Sequence, residues 1–324
     1  MVPLQVRMTL LVTVFFGIIY AVVVVLGTAM GLDNFYFFLF ISLFFMFIQY
    51  MLGPKMIEWT MRVRYIQSKD APQLFDMVED LARKAQIPMP KIAIADVAIP
   101  NAFAFGRSMG DGRVCVSQGI LNLLSSEELQ AVLGHELTHI KNRDVVTITL
   151  LSVLPMLLYR LAWHFMFYGN DGYNRREERG NNTFLIGAIA FIFYFITNLL
   201  VLYASRIREY YADKGSVDIG NNPSALASAL YKLVYGSAKL DRNSLREVEG
   251  CKAFFANDPS RAKLEIRELS QLDLDRSGTI DASEMALLKS REINLTFSDY
   301  LMEAFSTHPN MLKRIKHLSQ LRAG

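Results

Sequence analysis

The stretch Leu133-Gly134-His135-Glu136-Leu137-Thr138-His139 sets two imidazoles four residues apart with a carboxylate between them. On an α-helix, residues i and i+4 lie on one face, so His135 and His139 can aim at one point. Two neutral imidazole nitrogens at ~2.0–2.1 Å suit a zinc ion. Glu136 lies one position round the helix. There a carboxylate can take a proton from water that the metal has brought to a pKa of about 7. The HExxH pattern is short and arises by chance in unrelated helices. Here, however, two of the five histidines in the chain fall inside it. The preceding residues also supply the helix the chemistry needs. Ser125 followed by Glu128 forms a capping box, and Leu129, Val132 and Leu133 provide an apolar face.

Two histidines and a water leave one ligand to find. "HELTHIKNRDV" offers no further histidine at short spacing. Downstream, "ASRIREYYADKGSVD" carries Glu209 and, one turn later, Asp213. Glu209 could reach the metal while Asp213, on the same face, holds the other N–H of a ligand histidine. The competing reading is a solvated charged face beside Arg206 and Arg208.

A second constellation has calcium chemistry. "DLDRSGTIDASE", Asp273 to Glu284, fits the twelve-residue helix–loop–helix calcium loop. Asp273, Asp275 and Ser277 fill positions one, three and five, and Gly278 makes the sharp turn at six. Thr279 offers its carbonyl at seven, Asp281 stands at nine, and Glu284 can bind bidentately at twelve. The competing reading is a charged, Gly-containing connector between two helices.

The elements around these residues divide into apolar and polar blocks. The chain has 324 residues, 52% hydrophobic and 20% charged, with a mean hydropathy of +0.22. That is too apolar for an ordinary soluble enzyme and too charged for a wholly embedded one. A net charge of only +3 gives no case for nucleic-acid binding. The two cysteines, Cys115 and Cys251, have neither ligand spacing nor a disulfide framework. Four apolar segments are candidate membrane spans: Met8–Met30, Phe35–Leu52, Val145–Phe167 and Thr183–Ala204. Residues 1–53 then hold two spans and 145–204 a hairpin. Residues 54–144 and 205–324 form two parts of one polar domain, the second containing the loop 273–284. Lys and Arg cluster after the second span (Lys55, Arg62, Arg64, Lys69) and after the fourth (Arg206, Arg208, Lys214). With four spans these clusters share one side, the cytoplasmic side.

Within the polar domain, "QLFDMVEDLARKA" has helical spacing and "PKIAIADVA" alternates like a strand. "NAFAFG", the turn "MGDG" and "RVCVS" read as strand, turn, strand. The expected class is therefore α+β: an integral membrane protein with four candidate transmembrane helices and a mainly helical polar domain carrying a small β-sheet.

Taken together, "NAFAFG", "GHELTHIKNRD", "SRIREYYAD" and "THPNMLKRI" resemble the HtpX family of membrane zinc metallopeptidases, relatives of the CAAX prenyl proteases. The resemblance implies His135, His139 and Glu209 as zinc ligands, Glu136 as catalytic base and Asp213 as the partner behind a ligand. It implies an edge strand at Asn101, Ala102 and Phe103, alongside which an extended substrate adds through main-chain hydrogen bonds. His308 would donate to the oxyanion, and Arg314 would brace that segment or bind substrate. It further implies peptide or protein substrates, damaged membrane proteins above all, cleaved at the cytoplasmic face of a prokaryotic inner membrane. Two other functions compete. One is a processing peptidase for lipidated or signal-type peptides. The other is a calcium-sensing membrane scaffold with a non-catalytic zinc site, against which the intact Glu136 argues.

Overall fold

The computed structural model describes residues 35–97, 99–167, 178–238, 265–266, 269, 271–275, 277–291, 293 and 296–322. The expected first span and Cys251 lie outside these residues, as does most of the stretch expected to form a helix before the loop 273–284. The chain divides into two compact units. One comprises Met1–Met51 with Val146–Ala204, the other Leu52–Val145 with Ser205–Gly324.

In chain order the elements are α1 (Phe35–Thr60), β1 (Val63–Tyr65), α2 (Pro72–Ala85), β2 (Lys91–Ala95), β3 (Ala102–Phe105), β4 (Arg113–Ser117) and α3 (Gln118–Leu123). There follow α4 (Ser126–Lys141), α5 (Asp144–Phe167), α6 (Glu178–Asp218), α7 (Pro223–Ala238), α8 (Ala282–Ser290), α9 (Phe297–Ala304) and α10 (Met311–Gln320). The class is α+β, mainly helical with a small mixed sheet.

In the second unit the sheet order is β1-β2-β4-β3. β2 and β4 run parallel at the centre, with β1 and β3 antiparallel at the edges. Alternation sorts the strands into two faces. Ile92, Val114 and Val116 join Val78 and Leu81 of α2 and Val132, Leu133 and Leu137 of α4 in the main core. Ala93, Ala95 and Cys115 pack with Met61, Phe103 and Phe105 in a smaller cluster. The sheet thus backs α4 and leaves β3 as an edge beside it.

Helix α4 starts where the capping box predicts. The Ser125 side chain accepts from Glu128 N–H, and Glu128 Oε2 accepts from Ser125 N–H at 2.8 Å. Glu128 is buried, and Ser228 Oγ (2.6 Å) and Lys232 Nζ (2.7 Å) from α7 also hold it. The helix ends at Lys141, and Arg143 turns the chain through a left-handed conformation (φ 56°). α5 then begins at Asp144.

Two glycines let α4 and α6 approach closely. A Cβ on Gly134 would stand 2.2 Å from Asn221 Nδ2, and one on Gly215 would stand 2.3 Å from Thr138 Cγ2. Between them Ser216 Oγ donates to Ala131 O at 2.6 Å. This contact carries the C-terminal part of α6 onto the HExxH helix.

The first unit holds most of α1, α5 from Val146 and α6 through Ala204. α5 and α6 cross closely at Gly187, where a Cβ would stand 2.7 Å from Met166 Cγ. Tyr159 and Tyr194 pack with ring centroids 5.4 Å apart. Elsewhere α6 turns large apolar side chains outward: Phe184, Leu185, Ile192 and Phe195 are 54%, 57%, 57% and 44% exposed. Among the described residues, one helix is long and apolar enough to cross a membrane, the Phe184–Asp218 stretch of α6. The expected fourth span and the expected ligand segment are one continuous helix. Nothing between Ala204 and Ser205 breaks its hydrogen-bond ladder, and only the side chains change from apolar to charged.

Candidate active site

The site assembles from three helices and a turn of the second unit. His135, Glu136 and His139 stand on α4, Glu209 and Asp213 on α6, and Arg314 on α10. Asp144 follows the Arg143 turn. His135 Nε2 and His139 Nε2 face each other at 3.2 Å. The Glu209 carboxylate faces both, with Oε2 3.5 Å from His135 Nε2 and Oε1 3.5 Å from His139 Nε2. Tetrahedral zinc with bonds of ~2.05 Å puts neighbouring donors about 3.3 Å apart. The three donor residues thus form a triangle near this spacing, with each imidazole facing a different oxygen of Glu209 and one atom from each within 4.8 Å of the others, and their types, two imidazoles and a carboxylate, suit zinc.

Each histidine has a carboxylate behind it. Asp213 Oδ1 lies 2.8 Å from His135 Nδ1, bent away from a straight hydrogen bond. Asp144 Oδ2 lies 2.6 Å from His139 Nδ1. A proton held at Nδ1 leaves the Nε2 lone pair free for a metal and fixes the ring plane. Asp144 and its neighbour Arg208, whose Nη1 lies 3.7 Å away, were not among the expected site residues. The signal was the "NRD" directly after the motif, but its meaning depends on the left-handed turn at Arg143, which local spacing does not reveal.

Arg314 ties the rear of the site together. It is fully buried. Its Nη2 and Nε donate to Asp213 Oδ1 and Oδ2 at 2.6 and 3.0 Å, and its Nη1 lies 3.2 Å from Glu209 Oε2. The guanidinium thus joins the two carboxylates of α6 from behind.

The charges favour a cation. Burial alone would lower the His135 pKa, but the carboxylates of Asp213 and Glu209 outweigh it and push it up to about 10. Burial would raise the Glu209 carboxyl, yet its bond to His135 and the charge of Arg314 hold it well below the usual range. Asp213 is likewise lowered against its burial, by Arg314 and His135. Carboxylates behind and beside the two imidazoles thus favour positive charge at this point. Glu136 differs. Its burial outweighs the nearby histidines and raises its pKa, which suits a group that accepts and returns a proton.

Glu136 also touches the sheet. Its Oε2 accepts from Ala104 N–H of β3 at 2.8 Å. This fixes the carboxylate between the two histidines and an edge strand. Of the expected edge residues, Ala102 and Phe103 lie in β3, and Asn101 immediately precedes it. Their side chains are buried: Asn101 is 0% exposed and Phe103 packs in the smaller core. The Asn101 side chain is enclosed by protein. His308 is buried in the turn before α10, with Nδ1 3.0 Å from Thr307 Oγ1, and is close enough that its charge lowers the pKa of Glu209.

The loop 273–284 is a separate cluster. Carboxylate oxygens of Asp273, Asp275 and Glu284 lie within 4.8 Å of one another. Asp273 accepts from Ser277 N–H, Gly278 N–H and Tyr231 OH, each at 2.9–3.0 Å. Ser277 and Thr279 pair through their hydroxyls at 2.9 Å. Asp281 caps α8, accepting from Glu284 N–H at 2.8 Å, and Glu284 Oε1 accepts from Leu274 N–H at 2.6 Å.

Comparison with known proteins gives independent evidence. Residues 68–322 match the family described as Peptidase family M48. A protease HtpX homolog of Methanothermobacter thermautotrophicus is 47% identical over 249 residues, covering 77% of this chain and 93% of that protein. Protease HtpX homolog 2 of Methanosarcina mazei is 33% identical over 292 residues, covering 90% and 86%. A crystal structure of Ste24p from S. mikatae shares the fold at a TM-score of 0.51 and 17% identity, covering 98% of this chain and 67% of that one. The family match spans most of the chain and includes the donor triangle, so the protein belongs to peptidase family M48 and is a zinc metallopeptidase.

Proposed function

We propose that the protein is an integral-membrane zinc endopeptidase in which His135, His139 and Glu209 hold the metal and Glu136 is the catalytic base. The observation that carries this reading is the donor triangle, in which the two imidazole nitrogens stand 3.2 Å apart and each lies 3.5 Å from a different oxygen of Glu209, with Glu136 beside it on the HExxH helix. Zinc, when bound, supplies a Lewis acid that polarises a carbonyl and acidifies water. Glu136 takes the proton of the attacking water and returns it to the leaving amine, a task its raised pKa suits. An extended peptide lies along β3, bonding to its main chain. His308 donates to the developing oxyanion. Asp213 and Asp144 hold the two imidazoles, and Arg314 holds Asp213 and Glu209.

Four spans place residues 54–144 and 205–324 on the cytoplasmic side of a prokaryotic plasma membrane, with the hairpin 145–204 inserted between the metal ligands. Support comes from the exposed apolar face of α6 and the Lys/Arg clusters that follow the second and fourth apolar segments. The substrates are damaged or misfolded membrane proteins. Calcium occupies the loop 273–284, where three carboxylates converge, and orders the segment between Glu209 and His308.

Metal analysis of the purified protein tests the site. Wild type retains one zinc per chain after dialysis and Glu209→Gln loses it. A wild type without zinc, not restored by added metal, sinks the site. Calorimetry with calcium should show binding abolished by Glu284→Gln, and no heat near millimolar calcium rejects the second metal. Proteolysis of right-side-out and inverted vesicles reports which face carries residues 54–144.

A further inference from the structure

Helix α9 is amphipathic the wrong way round for a soluble domain. Phe297, Tyr300 and Leu301 fall at i, i+3 and i+4 on one face, and they are 82%, 52% and 50% exposed. Of its two acidic residues, Asp299 is half-buried at the N-terminal cap and Glu303 is buried. This orientation is built, not loose. Thr296 and Asp299 form a capping box at the N-terminus. Glu303 accepts from Asn310 N–H at 3.3 Å and pairs with Lys313. At the C-terminal end Arg206 Nη1 donates to the carbonyls of Glu303, Ala304 and Ser306 at 2.9, 2.9 and 2.8 Å. Two of them, those of Glu303 and Ala304, belong to the last turn of α9, where a helix end leaves carbonyls without intrahelical partners.

Arg206 also locates α9. The apolar run of α6 stops at Ala204, two residues earlier, which is about 3 Å along a helix. Where α6 crosses a bilayer, that level is the membrane–water boundary, and the three contacts fix the end of α9 to it. A helix at this boundary that faces aromatic and leucine side chains outward has the composition of an interfacial helix. Lys313, paired with Glu303, lies 4.2 Å over the Tyr300 ring and helps hold that ring in place. Side chains of this size and exposure offer roughly 200–400 Å², well under the ~800 Å² per partner of a standard protein interface. A lipid surface therefore fits better than a second copy.

We infer that α9 is an interfacial membrane anchor, its Phe297–Tyr300–Leu301 face seated in the headgroup region of the bilayer that α6 crosses. The inference rests on the membrane reading above and adds a second attachment, in the segment that leads to His308. Held there, the turn carrying His308 stays at a fixed height above the lipid.

The test uses the full chain in phosphatidylcholine–phosphatidylglycerol vesicles, in a Cys251→Ser background. Cys115 is fully buried and its thiol is pushed up to about 12, so introduced cysteines react selectively. An environment-sensitive fluorophore is placed at Leu301→Cys, Lys289→Cys or Phe195→Cys. Lipids spin-labelled near the headgroup or at the chain end act as quenchers. The inference expects the Leu301 label to be blue-shifted and quenched by headgroup-proximal spin labels, and the Lys289 label to be neither. The Phe195 label, in the apolar run, should be quenched by chain-end spin labels. If Phe195 is quenched but Leu301 behaves like Lys289, the anchor is wrong and the membrane reading stands. If neither Phe195 nor Leu301 is quenched, the membrane reading fails and the anchor with it. An unquenched Leu301 label, together with disulfide formation between copies of the unlabelled Leu301→Cys chain under an added oxidant, assigns the face to self-association and overturns the anchor.

Discussion

The close approach of α4 and α6 makes a single methyl group informative. In Gly215→Ala the new Cβ would stand 2.3 Å from Thr138 Cγ2 and 2.6 Å from Thr138 Oγ1, whereas ordinary contact begins at 3.4 Å. Thr138 cannot easily rotate away. It is β-branched, and its hydroxyl is bonded to Gly134 O at 2.8 Å. The helices must therefore separate by about 1 Å, an overpacking that costs about 1–3 kcal/mol. The higher helix propensity of alanine offsets ~1 kcal/mol of this, so the net loss of stability is small, about 0–2 kcal/mol. The effect on the metal is larger. Glu209 rides on the same helix, and its carboxylate faces both imidazoles at 3.5 Å. A shift near 1 Å far exceeds the ~0.2 Å tolerance of metal–ligand distances. Zinc affinity should fall by ~10–100-fold, the range seen when ligand support is lost. Adding Thr138→Ala removes both clashing atoms, so the double variant should recover most of the affinity. Chelator-competition titrations of the two single variants, the double variant and wild type give the cycle, with denaturant unfolding alongside. Wild-type zinc affinity in Gly215→Ala, or no recovery in the double variant, would refute the packing argument.

Other outcomes follow from the same geometry. Asp144→Ala removes the partner of His139 Nδ1 and should weaken zinc by ~10–100-fold with little change in the far-UV spectrum. Arg314→Met leaves Asp213 and Glu209 as buried carboxylates without their cation, costing about 3–5 kcal/mol of unfolding free energy. A change in KM alone, at unchanged stability, would instead make Arg314 a substrate contact. Glu128 bonds to Lys232 and Ser228, which outweigh its burial and lower its pKa below 4.5. Its stabilisation is therefore present above pH 4.5 and lost as pH falls through the lowered value. Glu128→Gln should cost about 1–2 kcal/mol at pH 7, and the difference from wild type should vanish in acid unfolding curves once the pH has fallen below the lowered value.

What the sequence disclosed was local. The capping box at Ser125 and Glu128, the shared face of His135 and His139 and the strand alternation in "KIAIA" each span a few residues. Local physics sets them. Glu209 and Asp213 could be paired because they stand one turn apart. The contact of Asp213 with Arg314 joins positions 101 residues apart, and no spacing rule reaches that far. Family resemblance pointed to Arg314 but not to its complete burial. β1 is only three residues long, and β2 and β4 pair in parallel across an intervening strand. Neither feature leaves a periodic trace. Asp144 was missed because one left-handed residue, Arg143, decides where it points. The junction at Ala204 was read as an element boundary because hydropathy changes there, while the backbone continues as one helix.

The central claim is that Glu136 acts on a peptide bond beside a zinc held by His135, His139 and Glu209. Its most direct measurement pairs zinc content with cleavage of an unfolded protein substrate in detergent, for wild type and Glu136→Gln. The glutamine keeps the Ala104 contact within reach and leaves all three ligands intact, so the variant should retain one zinc per chain. It should lose proteolysis by at least ~10²–10⁴-fold, the contribution of a general base. A zinc-loaded Glu136→Gln protein that cleaves at the wild-type rate would contradict the account.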